Sequence, residues 1–148
     1  ALWLIKNVFS KIRQAVVIAG LNPPAHLIEE IKKYSHITLR QNCSEQEMQS
    51  LIEDAQIHCL YTEQATGLKL KLLNVLFSGR FVIANTKMLV GTSLTEACII
   101  ANTPQQYIDS INKLFTDEFT DEEIGNRKII IASINNQEKP KKIIELFS

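Results

Sequence analysis

Apolar positions along this chain alternate between two periods. Leu2, Ile5, Val8, Phe9 and Ile12 fall at helical spacing and predict an amphipathic helix over residues 1–13; a strand is the weaker alternative, because alternation there is poor. Residues 15–20, AVVIAG, make a short continuous apolar run with β-branched members. That pattern predicts a parallel strand buried on both faces and ended by glycine. A helix is expected from about Pro24, since proline suits the first turn after Asn22, and residues 36–39 predict a second, shorter strand. Ser44 and Glu47 have the spacing of a capping box ahead of the stripe Met48, Leu51, Ile52 and Ala55. Residues 57–61 then predict another buried strand.

The stretch over residues 66–85 reads as a short helix, a turn at one glycine and a buried strand at 81–84. Residues 86–96 look irregular, with a turn at Gly91, and residues 97–101 predict a fifth strand. Thr103, Pro104 and Gln106 open a helix that Tyr107, Ile108, Ile111, Leu114 and Phe115 continue. Thr120 and Glu123 repeat the capping logic for a helix bearing Ile124 and residues 129–131. A polar break and Pro140 are then expected before a last short helix ending at Phe147. No internal repeat or low-complexity segment interrupts the order.

Strands alternating with helices predict one α/β domain over residues 1–148, Rossmann-like and built as three α/β/α layers. Its sheet should be mostly parallel, with about five to six strands and helices on both faces. Ligands of such sheets bind at the carboxyl ends of the strands, so the loop over residues 61–67 is a candidate cleft wall.

Composition narrows the partners. Hydrophobic residues make up 45% and charged residues 22%, as in a packed globular domain. Sixteen basic residues balance sixteen acidic ones, so no bulk field draws the chain to nucleic acid or anionic lipid. No apolar run reaches the roughly 18 residues that span a bilayer, and the first residues lack the pattern of a secretory signal. Cys43, Cys59 and Cys98 are odd in number and widely spaced, which favours reduced thiols in a cytoplasmic protein over disulfides or a metal site. Attachment to a membrane surface is left open. His26, His36 and His58 are too scattered for a metal site or a catalytic dyad.

The candidate chemistry sits in the 66–85 stretch. Leu68, Leu70, Leu72, Leu73, Val75, Leu76 and Phe77 surround most of the helix, so it should be buried nearly all round. Gly67, Lys71, Asn74 and Ser78 fall on one narrow stripe. Gly67 would let a ligand approach the backbone, free N–H groups at the helix tip attract anions, and Lys71 one turn in adds a mobile cation. That is the outline of a phosphate site; the alternative is a core helix whose Lys71 snorkels to water. Lys69 lies about 160° around an ideal helix from Lys71. The two reach one ligand only if Lys69 belongs to a frayed first turn, and otherwise Lys69 is simply solvated.

Gly67, Lys69, Lys71, Asn74, Val75, Gly79, Phe81 and Val82 stand in the register of the donor-binding motif of GT-B retaining glycosyltransferases. The chain resembles the C-terminal, nucleotide-binding half of those enzymes from residues 2–20 through the helix at 104–115. Asn74 stands where the family has glutamate, and Phe81 where it usually has proline. The resemblance implies a nucleotide-diphosphate sugar, with UDP or GDP as the nucleotide, as donor substrate, and no cofactor or metal. It implies an N-terminal GT-B acceptor domain as partner and transfer of a hexosyl group, for which this half alone would be inactive. Lys71 would contact phosphate oxygens with Lys69 as second cation, and Asn74 would meet the ribose hydroxyls.

In the preceding loop Thr62, Glu63, Gln64 and Thr66 would contact sugar or phosphate, or form a plain solvated loop. Asn42 and Ser44 would line the nucleotide side, although Ser44 is more simply a helix cap, and Thr92 and Ser93 would meet the sugar. A catalytically degenerate module with an interaction or regulatory role is the second reading. A phosphoacceptor receiver domain is set aside, because residues 57–61 end without the aspartate it needs.

Overall fold

A computed structural model describes residues 1–147 apart from Leu68, and side chains through Ile134. Leu68, counted above in the apolar set, therefore lies outside the described residues. In chain order the elements are α1 (Leu2–Asn7), β1 (Val16–Gly20), α2 (Ala25–Ile31), β2 (Ile37–Gln41), α3 (Glu45–Asp54) and β3 (Ile57–Leu60). There follow α4 (Leu70–Ser78), β4 (Phe81–Ala84), α5 (Thr86–Leu89), β5 (Ile99–Ile100), α6 (Pro104–Leu114) and α7 (Asp121–Phe147).

All strand pairs are parallel, which is the Rossmann-like arrangement expected. The five strands are fewer than the upper expectation and form two hydrogen-bonded groups, β1-β2 and β3-β4-β5, rather than one ladder. Periodicity finds strands singly, whereas pairing depends on residues far apart in sequence.

Strand β4 shows why the fold has three layers, because alternate side chains leave it on opposite faces. Phe81 and Ile83 join a core with Leu4, Ile5, Ile31, Tyr107 and Ile111, from α1, α2 and α6. Val82 and Ala84 join a second core with Leu72, Val75 and Leu76 of α4, and Ile130, Ile131 and Ile134 of α7 pack against it. All four residues of β4 are buried, so the strand is the spine of the domain.

Four expectations are corrected. Strand β1 is covered on one face only: Val17 is 50% exposed, because the helices of the second core cover β3 and β4 instead. The helix over residues 1–13 is shorter, and after Asn7 the chain passes Val8 into a 3-10 turn at Phe9–Lys11 that keeps the same apolar side inward. Helix α4 is not buried all round; Leu70, Leu73 and Phe77 face water, since the sheet takes only the Leu72, Val75 and Leu76 side. Finally α7 runs through Pro140 without the expected break, as a proline removes one backbone donor and need not end a helix.

All three expected capping boxes form. The Ser44 hydroxyl accepts from the Glu47 amide while the Glu47 carboxylate accepts from the Ser44 amide, and Thr103 and Gln106 do the same at α6. Thr120 and Glu123 reproduce the exchange at the start of α7. No described helix is long and apolar enough to cross a membrane.

Candidate functional site

The segment between β3 and α4 leaves the carboxyl end of the sheet and is tied down at the backbone. Buried Asn85, directly after β4, brackets Thr62: its Oδ1 accepts from the Thr62 amide at 3.2 Å and its Nδ2 donates to the Thr62 carbonyl at 2.7 Å. The Tyr107 hydroxyl, 2.6 Å from the Leu60 carbonyl, donates to it from α6. Tyr61 stacks on Trp3 of α1 with centroids 4.0 Å apart, and Lys87 Nζ donates to the Glu63 carbonyl. Within the loop, the Thr62 hydroxyl accepts from the Gln64 amide and donates to the Gln64 carbonyl. Asn102 holds the neighbouring loop in the same manner, pairing with both the amide and the hydroxyl of Thr86.

The loop then reaches Gly67 with φ at +101°, a conformation that favours glycine and cannot belong to a right-handed helix. Helix α4 accordingly begins at Leu70, later than the pattern suggests. Lys69 sits at its N-cap with φ −98° and ψ 46°, and no side chain caps the helix. The tip thus keeps the orphan amides that an anion can satisfy. Because Lys69 lies off the helical spiral, the 160° separation from Lys71 does not constrain it.

Lys71, in the first turn, and Asn74, one turn on, are both exposed, as are Thr66 and Gly67; Thr62 and Lys69 are half-buried. Among the described residues neither Lys69 nor Lys71 has a hydrogen-bond or ion-pair partner.

Other candidates have local duties. Asn42, with φ +53°, accepts the Asn22 amide through Oδ1 and so links the loops after β1 and β2. Ser44 is engaged in its capping box, and the Thr92 hydroxyl donates to the Leu89 carbonyl after α5; Ser93 is exposed. All three cysteines are free, and burial pushes the Cys59 thiol up to about 12 and the Cys98 thiol up to about 11, so both are inert. Among the described residues no three His, Cys, Asp or Glu side chains gather as a metal cradle.

Trp3, Asn85, Asn102 and Tyr107 were not legible as site-forming residues. The one signal was positional: Asn85 and Asn102 are polar residues at or near the carboxyl ends of apolar strands, where a cleft is expected.

No match was found among curated proteins or among solved structures. The family described as Glycosyl transferases group 1 matches residues 1–117, a span that takes in every strand and helices α1 to α6. A match over that share of the 148 residues makes the chain a member of the group 1 glycosyl transferases.

Proposed function

We propose that this chain is the donor-nucleotide half of a two-domain retaining glycosyltransferase and holds the diphosphate of a nucleotide sugar between the 61–67 loop and the α4 tip. The observation that carries the reading is the pairing of an uncapped helix N-terminus with the exposed Lys71, which has no partner among the described residues, at the carboxyl edge of a parallel sheet. As the glycosidic bond to the donor breaks, negative charge builds on the leaving diphosphate. Fixed amide dipoles and an ammonium placed there stabilise that charge without reorganising. Lys71 takes the phosphate oxygens and Lys69 the second cationic position, so neutralisation needs no metal. Gly67 lets the diphosphate meet the backbone, and the hydroxyls of Thr62 and Thr66 are offered to sugar or phosphate. An N-terminal domain supplies the acceptor, and UDP or GDP is the expected nucleotide.

Asn74 favours a second reading. An amide in the place of the family's glutamate donates and accepts hydrogen bonds, but lacks the stronger charge-assisted contact with ribose hydroxyls. A module that has lost donor binding and kept the fold for interaction or regulation would tolerate it. Calorimetric titration with UDP and GDP separates the two. Micromolar binding by the parent chain, weakened about tenfold in Lys71→Ala, supports the first; no binding by either protein supports the second.

A further inference from the structure

The amino end of β4 carries a second feature that the donor reading does not use. A cleft of about 530 Å³ opens where the carboxyl end of α4, the start of β4 and the first turns of α7 converge. Phe77, Phe119 and Ile124 supply apolar wall, and Arg80 and Lys128 supply exposed cations. Its buried charge is Arg127, only 8% exposed, lying over the Phe119 ring at 4.7 Å.

The guanidinium is only partly used. Nη1 donates to the Gly79 carbonyl at 2.8 Å and, more weakly, to the Leu76 carbonyl at 3.5 Å, which satisfies the end of α4. Nε and Nη2 donate to no described residue, and Arg127 forms no salt bridge among the described residues. Glu123, one turn earlier on α7, instead accepts the Thr120 amide; Glu53 at the cleft's edge accepts from Gln49. No buried side-chain polar atom among the described residues lacks a partner, so Nε–H and Nη2 open toward solvent, where they can meet an anion without displacing a protein group.

We propose that this cleft binds an amphiphilic organic anion, its acyl or aromatic body against Phe77, Phe119 and Ile124 and its carboxylate or phosphate on Arg127 beneath Arg80 and Lys128. The volume falls in the usual range of small-molecule sites, about 300–1,000 Å³. Concavity favours a single molecule over a membrane surface, because a flat array of headgroups meets the exposed Arg80 and Lys128 but not the mostly buried Arg127.

The test is titration of the chain with monomeric decanoate, followed by calorimetry and by NMR shifts of the Gly79 and Arg80 amides and the Arg127 Nε–H. Saturable one-site binding is expected, with those resonances moving. Decanol, equal in chain length but neutral, should bind about tenfold more weakly, and so should butyrate, which lacks the body. Arg127→Met is expected to abolish binding, but it also removes the α4 cap and is exposed to misfolding. The Arg80→Ala/Lys128→Ala double variant alters exposed side chains and gives up one exposed 3.3 Å hydrogen bond, from Arg80 Nη1 to the Asp54 carbonyl. It should weaken decanoate several-fold while the chain stays folded, with the melting temperature lowered by no more than the loss of one exposed hydrogen bond. Equal binding of decanoate and decanol, undiminished binding by the folded double variant, or shifts confined to the Lys71 loop would overturn the proposal. Binding to phosphatidylglycerol vesicles without binding of monomeric decanoate would overturn it too, in favour of a membrane-facing patch.

Discussion

The two ends of α4 are built on opposite plans. At its amino end the backbone is held by side chains from elsewhere, namely Asn85 on Thr62, Tyr107 on Leu60 and Trp3 on Tyr61, while Lys71 and Asn74 are left in solvent. At its carboxyl end distant side chains also do the holding, but they are the side chains at the site itself: Arg127 of α7 takes the Leu76 and Gly79 carbonyls, and the His58 ring of β3 fills the space beside Gly79. A preorganised backbone with uncommitted polar side chains suits ligand exchange. Interlocked side chains suit stability.

The sharpest way to break that contrast is Gly79→Ala. A Cβ there would lie 2.6 Å from the Val75 carbonyl oxygen and 2.7 Å from the His58 ring, and the carbonyl is helix backbone that has little room to shift. A loss of about 2–3 kcal/mol is expected in urea unfolding, with nucleotide affinity of the folded fraction unchanged.

Asn85→Ala comes next and should affect both properties. It strands the Thr62 amide and carbonyl, so about 2 kcal/mol of stability is expected to go. Here the loop is loosened as well, and UDP or GDP binding should weaken alongside, as calorimetry would register.

Lys71→Ala isolates the amino end. The urea midpoint should stay where it was while nucleotide affinity drops about tenfold. A fall in stability of the size expected for Asn85→Ala would instead mean that Lys71 serves the fold.

The smallest effect is a pH dependence at the carboxyl end. Burial lowers the pKa of His58 below its ordinary 6.5 and nearby Arg127 lowers it further, against the opposing bond to the Ile52 carbonyl. The unfolded chain therefore takes up the proton first, and stability should decline as pH falls from 6.5 towards the lowered native value. Glu30 and Glu47 are shifted down from 4.5, so their contributions persist above that value and fade only beneath it. Comparing urea midpoints at about pH 7.5 and pH 5.5 thus reads His58 with little interference, and His58→Gln should flatten the difference.

What the sequence alone determined was local. Capping boxes at Ser44, Thr103 and Thr120, the apolar run of β4 and the glycine before α4 depend on residues within a few positions of one another, and all are present. The family was legible for the same reason: the resemblance rested on residues within one short stretch, and the group 1 glycosyl transferases match residues 1–117. Tertiary structure alone decided which side of an apolar element is covered. The run at 15–20 and the leucine-rich α4 read as buried all round, yet Val17, Leu70 and Phe77 are exposed because burial depends on which helices pack where. It also decided the contacts that brace the site. Asn85 to Thr62, Tyr107 to Leu60 and Arg127 to Gly79 join residues separated by 23, 47 and 48 positions. Hydrogen-bond geometry between such partners exists only once the sheet has brought them together, and no periodicity along the chain encodes it.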